Sequence, residues 1–546
     1  MVHAVLEEPA QTASQVQPWL DLLGQSQPDG WSADNDLLLV CGAPDAALQA
    51  ALHTRGQRRV LWLDAGASEP RPGAAAPLEW RVLPDDGACA DRIEAHIASL
   101  RRPLPRQVLR LRMPQVPATT GQDQALSHIQ GLLMQRWTDD RTREHFAHAW
   151  LEQGLANLPA LARQHNLAEL DGLFAGRPAI LIAPGPSLDR NIDQLRQAQG
   201  HAVLIAPLQS LRRLRKAGVR PDVLLVLDAT DLTCEPYDFI GDIPADELPP
   251  LVAAVNAHPN VIARFSQVFY FAGGGPVDHW LADMLARPLV DLKARSVALS
   301  ALLLAQHWRC EPIALVGQDL ALAQDGQRYA RGAQLNAYDQ PQHLHELPGY
   351  HGGTVLSPAD YHVFHQDFVR LAPLLQQARP GLRLFNCTEG GAFIPGFEHR
   401  PLHELLALLP ADEPARADLP PVGWPVAPDA HRCAQQLEQV QAYLAGQRKA
   451  LASCERQAQA CRQLALKPQA GPAYLKKLEA AERELREAMR RVKGFAILYR
   501  NEIDAARQAA AQARNLAENL AASRQLYAVV AQGCVHLRGL LDTVTV

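Results

Sequence analysis

An α/β fold is what this sequence predicts: a Rossmann-like central domain on a parallel sheet, a degenerate Rossmann-like N-terminal domain and an α-helical C-terminal bundle. Three observations predict it. Short, nearly continuous apolar runs recur through the middle of the chain as AILIAP, AVLIAP, VLLVLDA, PIALVGQDL and LRLFNC. Stretches with helical spacing lie between most of them, which is the rhythm of βαβ units. The runs do not alternate apolar with polar residues, so both faces of the sheet should be buried under helices.

Taken in order, residues 1–119 carry NDLLLVCGAPDAALQAAL, RRVLWLDAG and LEWRVLP, again short apolar runs separated by a helix-length segment. CGAPD stands where a nucleotide-binding fold has its glycine-rich turn, but Gly42 is alone there, so this domain reads as a retained scaffold. Residues 120–172 include REHFAHAWLEQGLANLPALARQHNLAEL, with apolar residues at helical spacing, and read as a helical connector. The central domain follows over 173–400. Residues 401–430, with PADEPARADLPPVGWPVAPDA, are dense in Pro, Ala and Asp and read as an extended linker. Residues 431–546 are rich in Ala, Leu, Gln, Glu and Arg with i,i+4 opposite charges, which predicts three or so antiparallel helices. Such a tail is expected to serve a homo-oligomer or to dock a partner.

Composition excludes several classes. At 546 residues the chain should hold two to four domains. A hydrophobic content of 47% and a charged content of 20% are those of a soluble globular protein. The net charge of −5 offers no footprint for nucleic acid. The start MVHAVLEEPAQTASQ lacks a basic region followed by an apolar run, so no secretory signal is expected. VALSALLLA falls well short of the ~20 residues that span a bilayer, so no membrane partner is expected. Nine scattered cysteines without a CxxC pair point to a reducing cytoplasm and away from a cysteine metal site.

The chemistry-bearing residues sit just after the predicted strands, where parallel sheets place their ligands. RPAILIAPGPSLDRNIDQLR reads as strand, tight turn and helix start. The turn at Gly185, Pro186 and Ser187 would aim backbone N–H groups at one spot, which favours a phosphate. Ser187 either adds a hydroxyl donor or caps the helix beginning near Asp189. Asp228, Asp319 and Glu389 follow other strands. Asp319 would hold a sugar hydroxyl, act as a base or cap the next turn. ELPGYHGGTVLSP sets His351 in a glycine-bracketed loop, and histidine is the side chain best tuned to take a proton near neutrality. The neighbouring His343 and His345 have no standard ligand spacing, so no metal is expected.

GPSLDRNIDQLR, followed by LRRLRKAGVRPDVLLVLDA, resembles the central domain of the motility-associated factor (Maf) family, the bacterial flagellin glycosyltransferases. NLPALARQHNLAELDGLFAGRPAILIAPGPSLD looks like that family's approach to the motif. SVALSALLLAQHWRCEPIALVGQDLALAQDGQRYARG and FNCTEGGAFIPGF look like its second and third blocks. The second block is also similar to bacterial sialyltransferases that use CMP-linked nonulosonic acids. That likeness puts Ser296 at the nucleotide phosphate, Tyr329 at the leaving phosphate and Asp228 at the nucleotide. Glu389 falls on the acceptor side. The chain departs from the pattern at Pro184 and Leu208, where asparagines are usual, and at Arg295, where a small glycine is usual.

The resemblance implies a cytoplasmic glycosyltransferase. It would move a pseudaminic- or legionaminic-type sugar from its CMP form to serine or threonine of flagellin. Gly185 to Ser187, Ser296 and Tyr329 would stabilise the departing phosphate, and His351 or Asp319 would take the hydroxyl proton. No Asp-x-Asp motif lies beside the nucleotide site, so no cofactor or metal is expected. The same GPSLD block looks like an archaeal-type pterin diphosphokinase, which uses ATP and magnesium. A flagellin-binding scaffold without catalysis is the third reading.

Overall fold

The computed structural model describes residues 3–6, 31–63 (without 34 and 43–45), 79–83, 89–100, 104–164 (without 114–115 and 117–118), 166–227, 235–292 (without 274), 294–333, 344–409, 430–468 and 471–545. They form two compact units, residues 1–146 and 147–546.

The first unit is a five-stranded sheet in the order β1-β5-β2-β3-β4. Its strands are β1 His3–Leu6, β2 Leu37–Cys41, β3 Arg59–Leu63, β4 Glu79–Leu83 and β5 Val108–Arg112, all paired in parallel. Alternate residues of β2 feed opposite cores. Leu37, Leu39 and Cys41 pack with Ile93 and Ile97 of helix α2 (Cys89–Ser99). Leu38 and Val40 pack with Leu48 and Leu52 of helix α1 (Ala46–Thr54). A strand covered on both faces has no polar side, which is why LLLV reads as a continuous apolar run. The expected connector is one helix, α3 (Thr120–Arg163), and the division between the units falls inside it.

The second unit holds an eight-stranded, wholly parallel sheet in the order β10-β9-β8-β7-β6-β11-β14-β15. The strands are β6 Ala179–Ile182, β7 Val203–Pro207, β8 Val223–Val226, β9 Leu251–Ala254 and β10 Val268–Phe271, then β11 Ile313–Val316, β14 Leu384–Asn386 and β15 Glu398–His399. A separate antiparallel hairpin, β12 Leu344–Pro348 with β13 Thr354–Pro358, lies between β11 and β14 in the chain. Again alternate strand residues split between two cores. Leu181, Ile205, Leu225 and Val252 join Leu302 of helix α5 (Val297–His307) and Phe368 of helix α6 (Ala359–Ala378). Ile180, Ile182, Leu204 and Leu224 join Trp280 and Leu281 of helix α4 (Pro276–Leu285).

The C-terminal region is helical, as predicted, with α7 Ala430–Leu466, α8 Pro472–Arg490, α9 Arg500–Gln512 and α10 Leu516–Asp542 as its long helices among the described residues. It does not stand apart. Leu444, Leu451, Val530 and Leu537 belong to the same core as Ile180 and Trp280. Arg287 donates to Gln436 at 2.8 Å, and Lys493 pairs with Asp283. Helical periodicity marks an apolar stripe but not the surface it will cover, so a stripe on this sheet's own helices reads like that of a free bundle. The expected linker is likewise corrected at its start. Leu402–Leu406 is a short helix with Leu402 and Leu405 buried, whereas 410–429 lie outside the described residues.

Candidate functional site

The strand order of the larger sheet reverses at β6. The chain steps from β6 through β7, β8 and β9 to β10, then returns to β11 on the other side of β6. The loops leaving β6 and β11 therefore meet at the switch in strand order, the position at which open parallel sheets bind ligands. The loop after β6 is Ala183, Pro184, Gly185, Pro186 and Ser187, and the loop after β11 is Gly317, Gln318 and Asp319.

The two loops are stitched together. Gly185 N donates to the Gly317 carbonyl at 2.9 Å. Ser187, fully buried, donates to Asp319 Oδ2 twice, from its backbone N at 3.1 Å and its hydroxyl at 2.7 Å. This corrects two expectations for the turn. Its N–H groups do not point outward at a phosphate, because the Asp319 carboxylate already occupies the place of the anion. Nor does Ser187 cap the helix that follows, since its hydroxyl is committed to Asp319 and makes no capping bond. Asp319 itself is buried, and burial pushes its carboxyl up to about 6 against the pull of the two Ser187 bonds and the Arg190 charge.

The loop after β14 closes the site from the other side. Glu389 takes a left-handed backbone conformation at φ +56°, which a residue with a Cβ adopts at a cost. Its Oε1 accepts from Asn191 Nδ2 at 2.7 Å and from Leu402 N at 2.9 Å, and these bonds hold the loop. Ala392 N donates to the Asp319 carbonyl at 2.7 Å. Gly391 also sits at positive φ, +68°, where a methyl group would overlap that same carbonyl oxygen. Only glycine passes here.

His351 lies in the turn of the β12–β13 hairpin, exposed, and the hairpin is pinned over the same loop. Tyr350 N donates to the Gly391 carbonyl at 2.9 Å, and Gly349 bridges Ala392. His351 Nε2 is 3.1 Å from the Glu389 carbonyl oxygen. A carbonyl can only accept, so Nε2 carries the proton and the neutral ring keeps Nδ1 as a proton acceptor. Tyr329 belongs to a segment that rests on the first turn. Ala330 N donates to the Pro184 carbonyl at 2.8 Å, and Arg331 N to Asp189 Oδ2 at 3.0 Å. The Tyr329 ring meets Tyr361 edge-on at 6.4 Å.

The structure thus joins Gly185, Pro186, Ser187, Asp319, Tyr329, Glu389 and His351 into one loop cluster by contacts between their segments. Ser296 is not brought into it by any contact of its own. It caps α5, its hydroxyl accepting from Leu299 N at 3.3 Å. Arg295, the unusual residue before it, is held by both Asp367 carboxylate oxygens at 3.2 Å. Asp228 lies outside the described residues. Sequence reasoning passed over Arg190 and Asn191. Both stand within one helical turn of Ser187, on a loop already marked, and that spacing was the available signal. Among the described residues, no group of three or more His, Cys, Asp and Glu is placed to hold a metal ion. No helix there is long and apolar enough to cross a membrane.

Comparison with known proteins places this cluster in a wider frame. Residues 152–325 match the family model of the 6-hydroxymethylpterin diphosphokinase MptE-like proteins. That segment contains the β6 and β11 loops. No curated protein matches the chain. Among solved structures, a Maf glycosyltransferase from Magnetospirillum magneticum AMB-1 superposes with a TM-score of 0.54 at 14% identity, covering 99% of this chain and 86% of that one. The likeness read from three sequence blocks is therefore matched at the level of fold, and along nearly its whole length this chain is similar to a Maf glycosyltransferase, with an MptE-like segment at its centre.

Proposed function

We propose that this protein is a glycosyltransferase that moves a nonulosonic acid, of pseudaminic or legionaminic type, from its CMP-linked form to a serine or threonine hydroxyl of flagellin. The observation that carries the reading is the fold shared along nearly the whole of this chain with a Maf glycosyltransferase, combined with a polar cluster at the sheet's switch point. In the reaction the acceptor oxygen bonds to the anomeric carbon, the bond from that carbon to the phosphate oxygen breaks with its electron pair, and the acceptor proton passes to a base. His351 is the proton acceptor in this reading. Its Nε2 donates to the Glu389 carbonyl in this reading, and Nδ1 of the neutral ring is then the nitrogen that accepts the hydroxyl proton. Asp319 holds the β6 turn in shape through its two bonds from Ser187, Tyr329 is assigned to the departing phosphate, and Asp228, outside the described residues, is assigned to the nucleotide by the sequence resemblance alone. No metal is assigned to the step, since no Asp-x-Asp motif lies beside the cluster.

The test is direct. Purified protein mixed with CMP-nonulosonate and flagellin should release CMP and raise the intact mass of flagellin by the sugar. His351→Ala should slow transfer ~10²–10⁴-fold while leaving CMP binding intact. A second reading, supported by the family match over 152–325, is diphosphate transfer from ATP to a pterin alcohol. Release of AMP from ATP with magnesium and 6-hydroxymethylpterin, without CMP release in the first assay, would replace the first reading by the second.

A further inference from the structure

The β6 turn cannot supply the charge that a nucleotide phosphate needs. Its N–H groups are consumed within the protein: Gly185 N on the Gly317 carbonyl, Ser187 N on Asp319, Leu188 N on the Gly185 carbonyl. Asp319, once ionised, would repel an incoming anion besides. A compensating cation is required at this mouth, and the cations of the surrounding loops are largely committed. Arg213 pairs with Asp189, Arg328 with Asp360, Arg295 with Asp367 and Arg400 with Glu398.

Arg190 differs from all of these, and from the exposed Arg331 by its place against Gly390. It is exposed, and its side chain makes no hydrogen bond or ion pair among the described residues, although its charge acts on the nearby Asp319 carboxylate. It is nevertheless placed. A Cβ built on Gly390 would come within 2.7 Å of Arg190 Nη2, 3.3 Å of Ser187 Cβ and 3.4 Å of Asp319 Oδ1. The guanidinium therefore lies against the one position in the 389–391 loop where the missing side chain leaves room, beside Ser187 and above the buried carboxylate. Glu389, the nearest acid in that loop, turns its Oε1 to Asn191 and Leu402 instead. An unpaired planar fork of donors at the switch point suits two oxygens of one phosphate.

We propose that Arg190, lying across Gly390, is the residue that binds the phosphate of the nucleotide substrate, in the role the Gly-Pro-Ser turn cannot fill. The proposal rests on the reading above only in that the substrate is nucleotide-linked. It commits to a phosphate ligand, whichever nucleotide carries it.

Titration calorimetry of the full chain, wild type against Arg190→Ala and Arg190→Lys, tests it with CMP, cytidine and ATP with magnesium. Wild type should bind CMP, Arg190→Ala should weaken it about tenfold or more, as for loss of a charge-assisted hydrogen bond, and Arg190→Lys should recover part of the loss. Cytidine, which lacks the phosphate, should bind both proteins alike. Because Arg190 is exposed, the melting temperature should not move. Equal CMP affinity in wild type and Arg190→Ala overturns the proposal, and so does an equal loss for cytidine. If wild type binds ATP with magnesium but not CMP, and Arg190→Ala weakens that binding, Arg190 keeps its role and the CMP reading falls. If wild type binds neither nucleotide, both fall.

Discussion

Two parallel sheets in this chain share one topological device and fill it with opposite chemistry. In the first unit the strand order reverses at β2, which lies between β5 and β3; in the second it reverses at β6, between β11 and β7. Each pivot strand is followed by a glycine, Gly42 in one and Gly185 in the other. At Gly42 the neighbours are apolar, with Met113 Cγ 2.7 Å and Val116 Cγ2 2.9 Å from where a Cβ would stand. At Gly185 the neighbours are the Asp319 carboxylate and the Gly317 carbonyl. A switch point is a place for a ligand only where it is lined with groups that can hold one. The first is packed with hydrocarbon, and the second holds a buried acid, a serine and an uncommitted arginine.

Substitutions at the two pivots and in the loop that closes on the second should break or sharpen this contrast. The largest effect is expected at Gly391, where a methyl would overlap the Asp319 carbonyl in a backbone conformation that disfavours any Cβ. Gly391→Ala should cost ~4 kcal/mol or more in chemical denaturation, beyond the usual range for one substitution. A small loss would mean that the β14 loop does not lock onto Asp319.

Next comes the pH dependence of Asp319. Its carboxyl titrates near 3.8 in the unfolded chain and about 6 in the folded one. Between those values the folded state keeps a proton that the unfolded state has released. The stabilisation is therefore complete below about pH 4, declines as pH rises through about 6 and then levels, with a total change of roughly 3 kcal/mol. Asp222, pushed up to about 7 by burial, slopes the same way. Asp319→Asn should remove only the Asp319 share, seen as a flatter stability curve between pH 4 and 6. An unchanged curve would show that Asp319 is not desolvated.

Ser187→Ala should destabilise by about 1.5–3 kcal/mol at pH 8, where the hydroxyl donates to an ionised carboxylate. The loss should shrink at pH 4, where Asp319 is protonated. A loss independent of pH would assign Ser187 to packing alone. The smallest effect on nucleotide binding is expected on the apolar side. Gly42→Ala sets its methyl 2.7 Å from Met113 Cγ and 2.9 Å from Met113 Cβ and Val116 Cγ2 at a φ of +132°, so it should cost about 1–3 kcal/mol of stability, with no pH dependence and no effect on nucleotide binding.

Much of this was legible along the chain. AILIAP, VLLVLDA and PIALVGQDL became β6, β8 and β11 because a strand buried on both faces must be apolar throughout, and that is a local property. Ser187, Asp319, Glu389 and His351 were found because each follows a strand end or sits in a glycine-rich turn. Their bonds to one another were not legible. Ser187 and Asp319 are 132 residues apart, and nothing in GPSLD says that the acid of GQDL will fill its turn. Ser296, a hydroxyl matched to a nucleotide contact, accepts from Leu299 N as a helix cap, a second role that the sequence block does not announce.

By itself, then, the sequence determined the parallel α/β class, the strand positions and the loops that carry polar residues, since apolar periodicity and turn residues act over a few neighbours. The tertiary structure alone decided which strands meet at the pivot, and so which donors are spent on the protein itself. It also decided that the helices of 430–545 cover the sheet's own core. Those outcomes depend on pairings across a hundred residues or more, where the gain comes from burying and satisfying groups that no local pattern connects.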